Sequence, residues 1–441
     1  MDEAKLATIV LQGGRLRATL LELWQRTRID WGFVTDRLSS TFRKETWIGA
    51  HERRFIGETL YGLLRHLRRI DAAIARGRKV KKPPHDMERL LALFVLEKWI
   101  TPEQAHQTNH ELDWNAVAGI DEVIAAERKV AKRIWLATSL PDWLVGRFVD
   151  EWGDRAEPLA HALNQRAPMT VRANLLVGDR DALAAELARE KLATRPGLWC
   201  DTALHVDTRM NIFGSEAFKR GAMEAQDEGS QLLADLATAN LTTDKPLVID
   251  LCAGAGGKTL AIAGRLQNRG RIISTDVDAK KLEELRRRIR RAGVTNAQAL
   301  HLEEGTWPAA LDNLQNKADV VFVDAPCSGI GALRRNPEAR WRLREADVAT
   351  YAARQREILI AATRLLAPGG RLVYGTCTLL AAENHEVVEA TKAARAELVD
   401  VPLAEVLGAR APALGVDGLS FTVAPDTHGT DGFYARVLRR Q

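Results

Sequence analysis

Two of the four cysteines in this 441-residue chain stand immediately after apolar, strand-like runs. Cys327 follows "VVFVDAP" and Cys377 follows "RLVYGT". A cysteine thiolate is a strong nucleophile, so paired thiols at strand ends could carry covalent chemistry. A single cysteine in such a place more often packs in a core. None of the four cysteines forms a C-x-x-C pair, so the sequence predicts neither a zinc site nor a disulfide framework.

A second group of residues predicts a cofactor loop. The segment "DLCAGAGGKT" has glycines at positions 254, 256 and 257, between a predicted strand and a predicted helix. Glycines there allow a tight turn and a close approach of the backbone to a ligand. Cys252 occupies the first glycine position of a phosphate-binding P-loop, and Thr259 occupies the last glycine position of the dinucleotide pattern. The loop therefore matches neither of those motifs.

A carboxylate accompanies this loop. Asp276 ends the next predicted strand, about 20 residues further on, where it can accept hydrogen bonds from both hydroxyls of a ribose. An isolated aspartate would more often be a solvated turn residue. The loop and Asp276 together indicate an adenosine cofactor, and dinucleotide enzymes share this plan with methyltransferases that use S-adenosylmethionine.

These residues need a scaffold that brings strand ends together, and the C-terminal part of the chain predicts one. From about residue 245, apolar runs alternate with amphipathic segments, which predicts an α/β domain with a doubly wound, mostly parallel sheet. Such sheets bind ligands beyond the carboxyl ends of their strands. Asp250, Asp276, Asp324 and Cys377 are all predicted at those ends.

The preceding part of the chain has a different pattern. Up to about residue 150 it is predicted to be helical, because apolar residues recur at helical spacing. The clearest stripe consists of Ile56, Leu60, Leu63, Leu67 and Ile70. Residues 155–235 combine a predicted strand at 168–175 with a predicted helix, which indicates a small α/β linking unit.

Composition limits the class of protein. A hydrophobic content of 46% with 27% charged residues is typical of a folded chain, and 441 residues predict two or three domains. The net charge of +5 and the pI of about 9.0 favour a polyanionic partner. No apolar run is long enough for a membrane span and the N-terminus lacks a signal-peptide pattern, so no membrane association and a cytoplasmic location are expected.

An ordered set of motifs resembles a known family. The segments "SLPDWL", "APMTVRANLL", "QDEGSQL", "DLCAGAGGKT", "DAPCSGIGALRRNPEARW", "TCTLLAAEN" and "HGTDGFYARVL" resemble those of bacterial 16S rRNA (cytosine-5) methyltransferases of the RsmB/Sun/Fmu type. The resemblance implies a class I S-adenosylmethionine-dependent methyltransferase fold. It also implies three domains, namely a NusB-like helical RNA-binding domain at 1–150, the linking unit at 151–235, and the Rossmann-like catalytic domain at 236–441.

The resemblance also implies roles for the thiols and their neighbour. C5 of cytosine is a poor nucleophile until a thiolate adds at C6 and makes C5 enamine-like. Cys377 would form that covalent adduct, and Cys327 would assist release of the product. Asp324 would bind the N3 edge of the base, which requires a proton on either the carboxylate or N3. The cytosine-5 methyltransferases of DNA suggest a rival in which Cys327 is the nucleophile, but "TCT…EN" and the helical domain favour the RNA assignment.

The cofactor and RNA contacts follow from the same resemblance. S-adenosyl-L-methionine would be bound by Asp276, Glu304, Asp324 and the loop residues Cys252, Ala253, Gly254, Ala255, Gly256, Gly257 and Lys258. The Cys252 thiol is expected to pack beneath the loop, and Lys258 could favour the thiolate or contact the base. Ala255 replaces the family's usual proline, and Glu304 replaces an aspartate. No metal is expected.

The RNA itself would contact Arg334 and Arg335, which follow the catalytic loop. The predicted substrate is 16S rRNA. Two alternatives remain open at this point: a tRNA cytosine-5 methyltransferase, and a non-catalytic RNA-binding factor for ribosome assembly. The intact Cys377, Cys327 and Asp324 argue against the second alternative.

Overall fold

The computed structural model describes residues 3–207, 211–303, 309–416 and 418–441. They form two compact units. One comprises Met1–Arg166 with Leu333–Glu345, and the other comprises Ala167–Ala332 with Ala346–Gln441. Among the described residues, no helix combines the length and the apolar character that crossing a bilayer requires.

The first unit is helical, as predicted for this part of the chain. Its longest helix, α4, buries the whole predicted stripe from Ile56 to Ile70 against a core that includes Phe94. The burial of an apolar face, more than intrinsic propensity, stabilises such a helix. The helices up to residue 166 are α1 (Glu3–Gln12), α2 (Gly14–Asp30), α3 (Val34–Lys44), α4 (Ala50–Gly77), α5 (Asp86–Leu96), α6 (Pro102–Thr108), α7 (Trp114–Ala118), α8 (Ile120–Ala125), α9 (Val130–Thr138), α10 (Asp142–Trp152) and α11 (Ala156–Asn164).

The second unit begins with a small antiparallel sheet whose strand order is β2-β3-β1-β4. Val171 and Leu204 pair across β1 and β3 and are fully or almost fully buried in its core. The elements of this part are β1 (Met169–Ala173), α12 (Arg180–Arg189), β2 (Thr194–Pro196), β3 (Ala203–Val206), α13 (Glu216–Lys219) and β4 (Met223–Ala225). The predicted domain boundaries at 150 and 235 fall inside helices of the structure, and the three-domain division stays a prediction.

The remaining strands of the second unit build a larger sheet with the order β10-β12-β9-β8-β5-β6-β7, and β11 pairs with β12. The strands are β5 (Leu247–Asp250), β6 (Arg271–Asp276), β7 (Ala297–His301), β8 (Ala318–Asp324), β9 (Leu366–Thr376), β10 (Leu398–Asp400), β11 (Ser420–Val423) and β12 (Phe433–Arg440). The helices of this part are α14 (Glu228–Thr238), α15 (Gly257–Arg265), α16 (Ala279–Ala292), α17 (Ala309–Asp312), α19 (Glu345–Thr363), α20 (His385–Ala394) and α21 (Leu403–Leu407), while α18 (Ala339–Arg342), which follows β8 in the chain, belongs to the first unit.

This sheet confirms the predicted doubly wound, mostly parallel architecture. The pairs β5–β6, β6–β7, β5–β8 and β8–β9 are parallel, whereas β12 pairs antiparallel with β9. Val320 to Val323 of β8 are fully buried, as expected for a strand covered on both faces. The chain runs outward from β5 through β6 and β7, then resumes on the other side of β5 with β8. The change of direction at β5 is where such folds form a ligand crevice.

Candidate active site

The strand order brings the four residues predicted at strand ends to one edge of the large sheet. Asp276, Asp250 and Asp324 are the last residues of β6, β5 and β8, and these strands are neighbours in that order. Cys377 follows the last residue of β9, which lies beside β8. The carboxyl ends of parallel neighbours share an edge, so the carboxylates and the thiol lie around the same crevice.

The glycine loop makes the turn from β5 into α15 with two residues in the left-handed region. Gly254 has φ of 54° and Gly256 has φ of 84°. A methyl group on Gly256 would lie 2.0 Å from Cδ1 of Leu285, so the loop requires glycine there for both conformation and space. At Gly254 the nearest atom to such a methyl group would be Cδ of Lys281, at 4.0 Å. That free space leaves the backbone accessible to a ligand.

Asp276 is held by the backbone around it. Its Oδ2 accepts a hydrogen bond from the backbone N–H of Gly254 at 2.8 Å, and its Oδ1 accepts one from Asp278 at 2.8 Å. The carboxylate is therefore oriented at the edge of the glycine loop. A cradle of open glycine backbone beside a fixed carboxylate suits S-adenosylmethionine, because the sugar needs an acceptor and the rest of the molecule needs a close backbone approach.

Asp250 lies beneath the loop and is fully buried. Its Oδ2 accepts a hydrogen bond from Oγ1 of Thr259 at 2.7 Å. Burial raises the pKa of Asp250 to about 7, and the negative charge of Asp324 adds to this effect, although the Thr259 hydrogen bond opposes it. Burial also raises the pKa of the Cys252 thiol, with a contribution from the charge of Asp250. Cys252 is half-buried against the core of the sheet, and its packing beneath the loop stays a prediction.

The two thiols at the crevice are in direct contact. The Sγ atoms of Cys327 and Cys377 lie 3.2 Å apart, and the backbone N–H of Cys377 donates to Sγ of Cys327 at 3.3 Å. Both side chains are half-buried. The hydrogen bond with Cys377 and, secondarily, burial raise the pKa of Cys327 well above its usual value. This contact therefore favours the protonated form of Cys327.

Lys258 and Asp324 form an ion pair at the same crevice. Nζ of Lys258 donates to Oδ2 of Asp324 at 2.6 Å and lies 5.5 Å from the ring centre of Phe433. Burial lowers the pKa of Lys258, but the charge and hydrogen bond of Asp324, followed by attraction to Cys377, outweigh it and raise the pKa. Lys258 therefore lies beside Asp324 at the crevice, and its predicted role toward the thiolate or the base stays a prediction.

A carboxylate that the sequence analysis did not identify joins the loops that carry the thiols. Oε2 of Glu383 accepts from the backbone N–H of Ser328 at 2.8 Å and from Nε2 of Gln355 at 3.1 Å. Its Oε1 accepts from the hydroxyls of Ser328 and Thr378. Ser328 follows Cys327 and Thr378 follows Cys377, so one side chain holds both loops. Glu383 is fully buried, and burial raises its pKa.

Further contacts fix these loops to each other. Nε2 of Gln355 also donates to the carbonyl oxygen of Pro326, and the hydroxyl of Tyr374 donates to the carbonyl oxygen of Glu383 at 2.6 Å. The backbone N–H of Gly331 donates to the carbonyl oxygen of Cys377 at 2.9 Å. The only sequence signal for Glu383 is its place in the "TCTLLAAEN" segment, where nothing in the spacing distinguishes it from a solvated helix-start residue.

The two arginines predicted to contact RNA lie in the segment Leu333–Glu345, which packs within the helical unit. Arg340 in α18 is fully buried and donates to Oδ1 of Asn164 at 2.6 Å. The side chain of Arg334 is buried at 5% exposure, which argues against direct phosphate contact in this conformation. Arg335 is half-buried. Glu304, predicted to contact the cofactor, lies outside the described residues.

Within the described ranges, no group of three or more histidine, cysteine, aspartate and glutamate side chains has an arrangement that could hold a metal ion.

Comparison with known proteins places these features in a family. The family model described as 16S rRNA methyltransferase RsmB/F matches residues 237–439, and the ferredoxin-like domain of RsmF/B-like methyltransferases matches residues 140–213. A Bacillus subtilis protein named probable ribosomal RNA small subunit methyltransferase B is 31% identical over 326 residues, which cover 73% of this chain and 71% of that protein.

Two further similarities extend over almost the whole length. A Synechocystis protein, also named probable ribosomal RNA small subunit methyltransferase B, is 28% identical over 415 residues, with 88% of this chain and 91% of that protein covered. The crystal structure of PH0851 matches with a TM-score of 0.75 and 24% identity, covering 96% of this chain and 97% of that chain. At this identity, the structural match supports the fold alone.

Proposed function

Because this chain belongs to the RsmB/F family of 16S rRNA methyltransferases, we propose that it methylates C5 of a cytosine in 16S rRNA through a covalent cysteine adduct. Family membership makes it an S-adenosylmethionine-dependent rRNA methyltransferase. The choice of C5 and the covalent route are the proposed part. The observation that carries the proposal is the contact of Cys327 with Cys377, whose Sγ atoms are 3.2 Å apart beside the carboxylate of Asp324.

Cys377 is proposed as the nucleophile. Its thiolate bonds to C6 of the cytosine, and the electron pair of the C5–C6 double bond becomes available at C5. S-adenosylmethionine, bound by the glycine loop and Asp276, supplies the electrophilic methyl group. The attack requires a thiolate. The place of Cys377 in the "TCT…EN" segment and the attraction between Lys258 and Cys377 support Cys377 over the rival assignment that the DNA enzymes suggest.

Cys327 is proposed to assist the release of the product. After methyl transfer, the C5 proton leaves to a base, the C5–C6 double bond forms again and the bond between C6 and Sγ of Cys377 breaks. Cys327 contacts Sγ of Cys377, which is the leaving group of this step. The thiol of Cys327 can donate a hydrogen bond or its proton to that leaving sulfur. Without this thiol the adduct would persist.

Asp324 and Lys258 are proposed to hold the base during the addition. Because Lys258 donates a hydrogen bond to Oδ2 of Asp324, Oδ1 is the oxygen proposed to hydrogen-bond with the N3 edge of the cytosine. The ammonium group of Lys258 also favours negative charge on the nearby sulfur of Cys377. The glycine loop from Cys252 to Lys258, with Asp276, is proposed as the cofactor site.

RNA binding is proposed for the helical part, which we expect to correspond to the NusB-like domain at 1–150, and for Arg335. The linking unit at 151–235 and the catalytic domain at 236–441 complete the proposed division. The target base must be unstacked to meet a thiol and a methyl donor together, which favours a loop or a transiently opened helix of the RNA.

The test is incubation of the protein with S-adenosylmethionine and separate fractions of 16S rRNA and tRNA, followed by nucleoside mass spectrometry. We expect 5-methylcytidine in the 16S rRNA fraction. Its appearance in tRNA alone would support the tRNA alternative, and methylation at another atom would overturn the covalent mechanism. If no fraction is methylated, the non-catalytic alternative gains support.

A further inference from the structure

A basic cleft opens at the edge of the large sheet that faces away from the active site. It has a volume of about 1130 Å³. Leu247 and Arg271, the first residues of β5 and β6, lie in its wall, as does Lys317, which precedes β8. The active-site carboxylates lie at the opposite ends of these same three strands. Since β8 has seven residues at about 3.3 Å each, the two edges are separated by roughly 20 Å.

The charge of this cleft is strongly one-sided. Four exposed basic side chains line it, and Asp244 is the acidic residue among the lining side chains. The basic residues are Lys245, Arg269, Arg271 and Lys317. None of the four forms an ion pair with another described residue, whereas many surface arginines of this unit do, for example Arg265 with Asp201 and Arg220 with Glu186. Unpaired cations that share a concave surface raise the local concentration of an anion.

The neighbouring carboxylate of Asp319 forms no ion pair with these four described residues. Its Oδ2 accepts from the backbone N–H of Leu247 at 2.8 Å and its Oδ1 accepts from Thr243, so both oxygens are bound to uncharged donors. The backbone is closely packed at Gly270 in the cleft wall. Gly270 has φ of +70°, and a methyl group on it would lie 2.2 Å from the carbonyl oxygen of Pro246.

We propose that this cleft, formed by Lys245, Arg269, Arg271 and Lys317, binds the phosphate backbone of the RNA substrate at a site remote from the target cytosine. The proposal rests on the RNA methyltransferase function proposed above. Arginine and lysine on an open surface match phosphates without reading bases, so the cleft would add affinity and orientation but no sequence preference. An RNA that reaches only the catalytic edge would gain nothing from it.

The test compares two variants of the full chain that each lose four positive charges. In the cleft variant, Lys245, Arg269, Arg271 and Lys317 are all replaced by glutamine. In the control variant, Lys280, Arg286, Arg287 and Arg290 on the exposed side of α16 are replaced in the same way. Binding to a full-length 16S rRNA transcript is measured as a function of salt, together with the apparent Tm of each variant as a check of folding.

The slope of log Kd against log salt should fall by about 3 in the cleft variant, at roughly 0.7 to 0.9 per lost phosphate contact, which corresponds to a loss of affinity of up to about 10³-fold at about 0.1 M salt. The control variant should keep a slope near that of the unaltered protein. Equal losses in both variants would show a general charge effect and overturn the proposal, as would an unchanged slope in the cleft variant.

A direct readout separates this proposal from the proposed function. Acetylation of exposed lysines, read by mass spectrometry, should be reduced at Lys245 and Lys317 when the transcript is bound. Protection without formation of 5-methylcytidine would support the cleft as an RNA site and contradict the proposed cytosine-5 activity. Formation of 5-methylcytidine without protection would support the proposed activity and overturn the cleft as an RNA site. Protection by an acidic protein in place of RNA, with none by the transcript, would identify the cleft as a protein-binding surface and overturn the proposal.

Discussion

The sulfur atoms of Cys327 and Cys377 lie 3.2 Å apart although the residues are fifty positions apart in the chain. The parallel pairing of β8 with β9 explains this contact, because each cysteine lies just beyond the end of its strand. The two sulfur atoms share a hydrogen bond, and this contact, together with burial, raises the pKa of Cys327. The first prediction follows from the different roles proposed for the two thiols.

Replacement of the two cysteines should have opposite effects on the covalent intermediate. Cys377→Ala should abolish both turnover and adduct, because the proposed bond to C6 cannot form. Cys327→Ala should also reduce turnover, but the protein should accumulate as a cross-link to RNA. Denaturing gel electrophoresis with labelled 16S rRNA distinguishes the two results. If the adduct accumulated in Cys377→Ala and was absent in Cys327→Ala, the roles proposed for the two cysteines would have to be exchanged.

Glu383 should act as a positioning residue for both thiols. Glu383→Ala leaves the N–H of Ser328 without its acceptor and removes one of the two hydrogen bonds that the Gln355 amide donates, which should cost about 1–3 kcal/mol of stability. Since the cysteine loops would then move, kcat should fall by at least about tenfold, the equivalent of ~1.4 kcal/mol in barrier.

Glu383→Gln provides the matched control. Its amide oxygen can take the place of Oε2, and its NH₂ group can donate to the hydroxyls of Ser328 and Thr378, which can reorient. We expect kcat within a few-fold of the unaltered enzyme for this variant, with KM for S-adenosylmethionine similar in all three proteins. A Glu383→Ala enzyme with unaltered kcat would show that the carboxylate does not position the thiols.

The strand ends were predictable from sequence, whereas contacts made by irregular segments were not. Alternating apolar runs predicted the parallel sheet, and the position of Asp324 and Cys377 after such runs predicted a shared edge. Glu383 follows a short turn and points back into the molecule, which no periodicity encodes. Arg334 is buried, and it lies in the segment Leu333–Glu345, which clusters with the helical unit. Burial of this kind is set by tertiary structure, and the arginine-rich sequence alone does not predict it.

The glycine loop should tolerate no side chain at Gly256. Gly256→Ala combines a left-handed backbone with a contact of 2.0 Å to Leu285. The conformation costs roughly 1–2 kcal/mol, and displacement of Leu285 adds to it. Gly293→Ala is the control, because Gly293 has a similar φ of +69° and a methyl group there would find no atom within 4 Å. Thermal unfolding and calorimetric titration with S-adenosylmethionine should show a larger loss of both stability and affinity for Gly256→Ala. Equal losses of stability in the two variants would show that the left-handed backbone conformation alone, without the contact to Leu285, accounts for the effect.

The ion pair of Lys258 and Asp324 should behave as one functional unit. Asp324→Asn removes the charge that counteracts the burial of Lys258, so the pKa of the lysine should fall. Lys258→Met and Asp324→Asn should each lower kcat/KM for RNA, and the double variant should lose less than the sum of the two free-energy effects. Steady-state kinetics of the four proteins gives this coupling energy. Strict additivity would mean that the two side chains act independently.

Asp250 should make the stability of the apoprotein depend on pH. Its pKa is raised from 3.8 to about 7 by burial, so the folded state binds more protons than the unfolded state between these values. The free energy of unfolding should therefore fall as pH rises from about 4 to 7, by at most about 1.4 kcal/mol per pH unit, and this effect should level off above pH 7. Asp250→Asn should remove this component. The apparent Tm of the variant, measured relative to that of the unaltered protein, should therefore increase as pH rises from about 4 to 7. Thr259→Val removes the hydrogen bond that lowers this pKa and should move the window to higher pH. A Tm difference for Asp250→Asn that stays constant from pH 4 to 8 would contradict the buried, proton-binding state of Asp250.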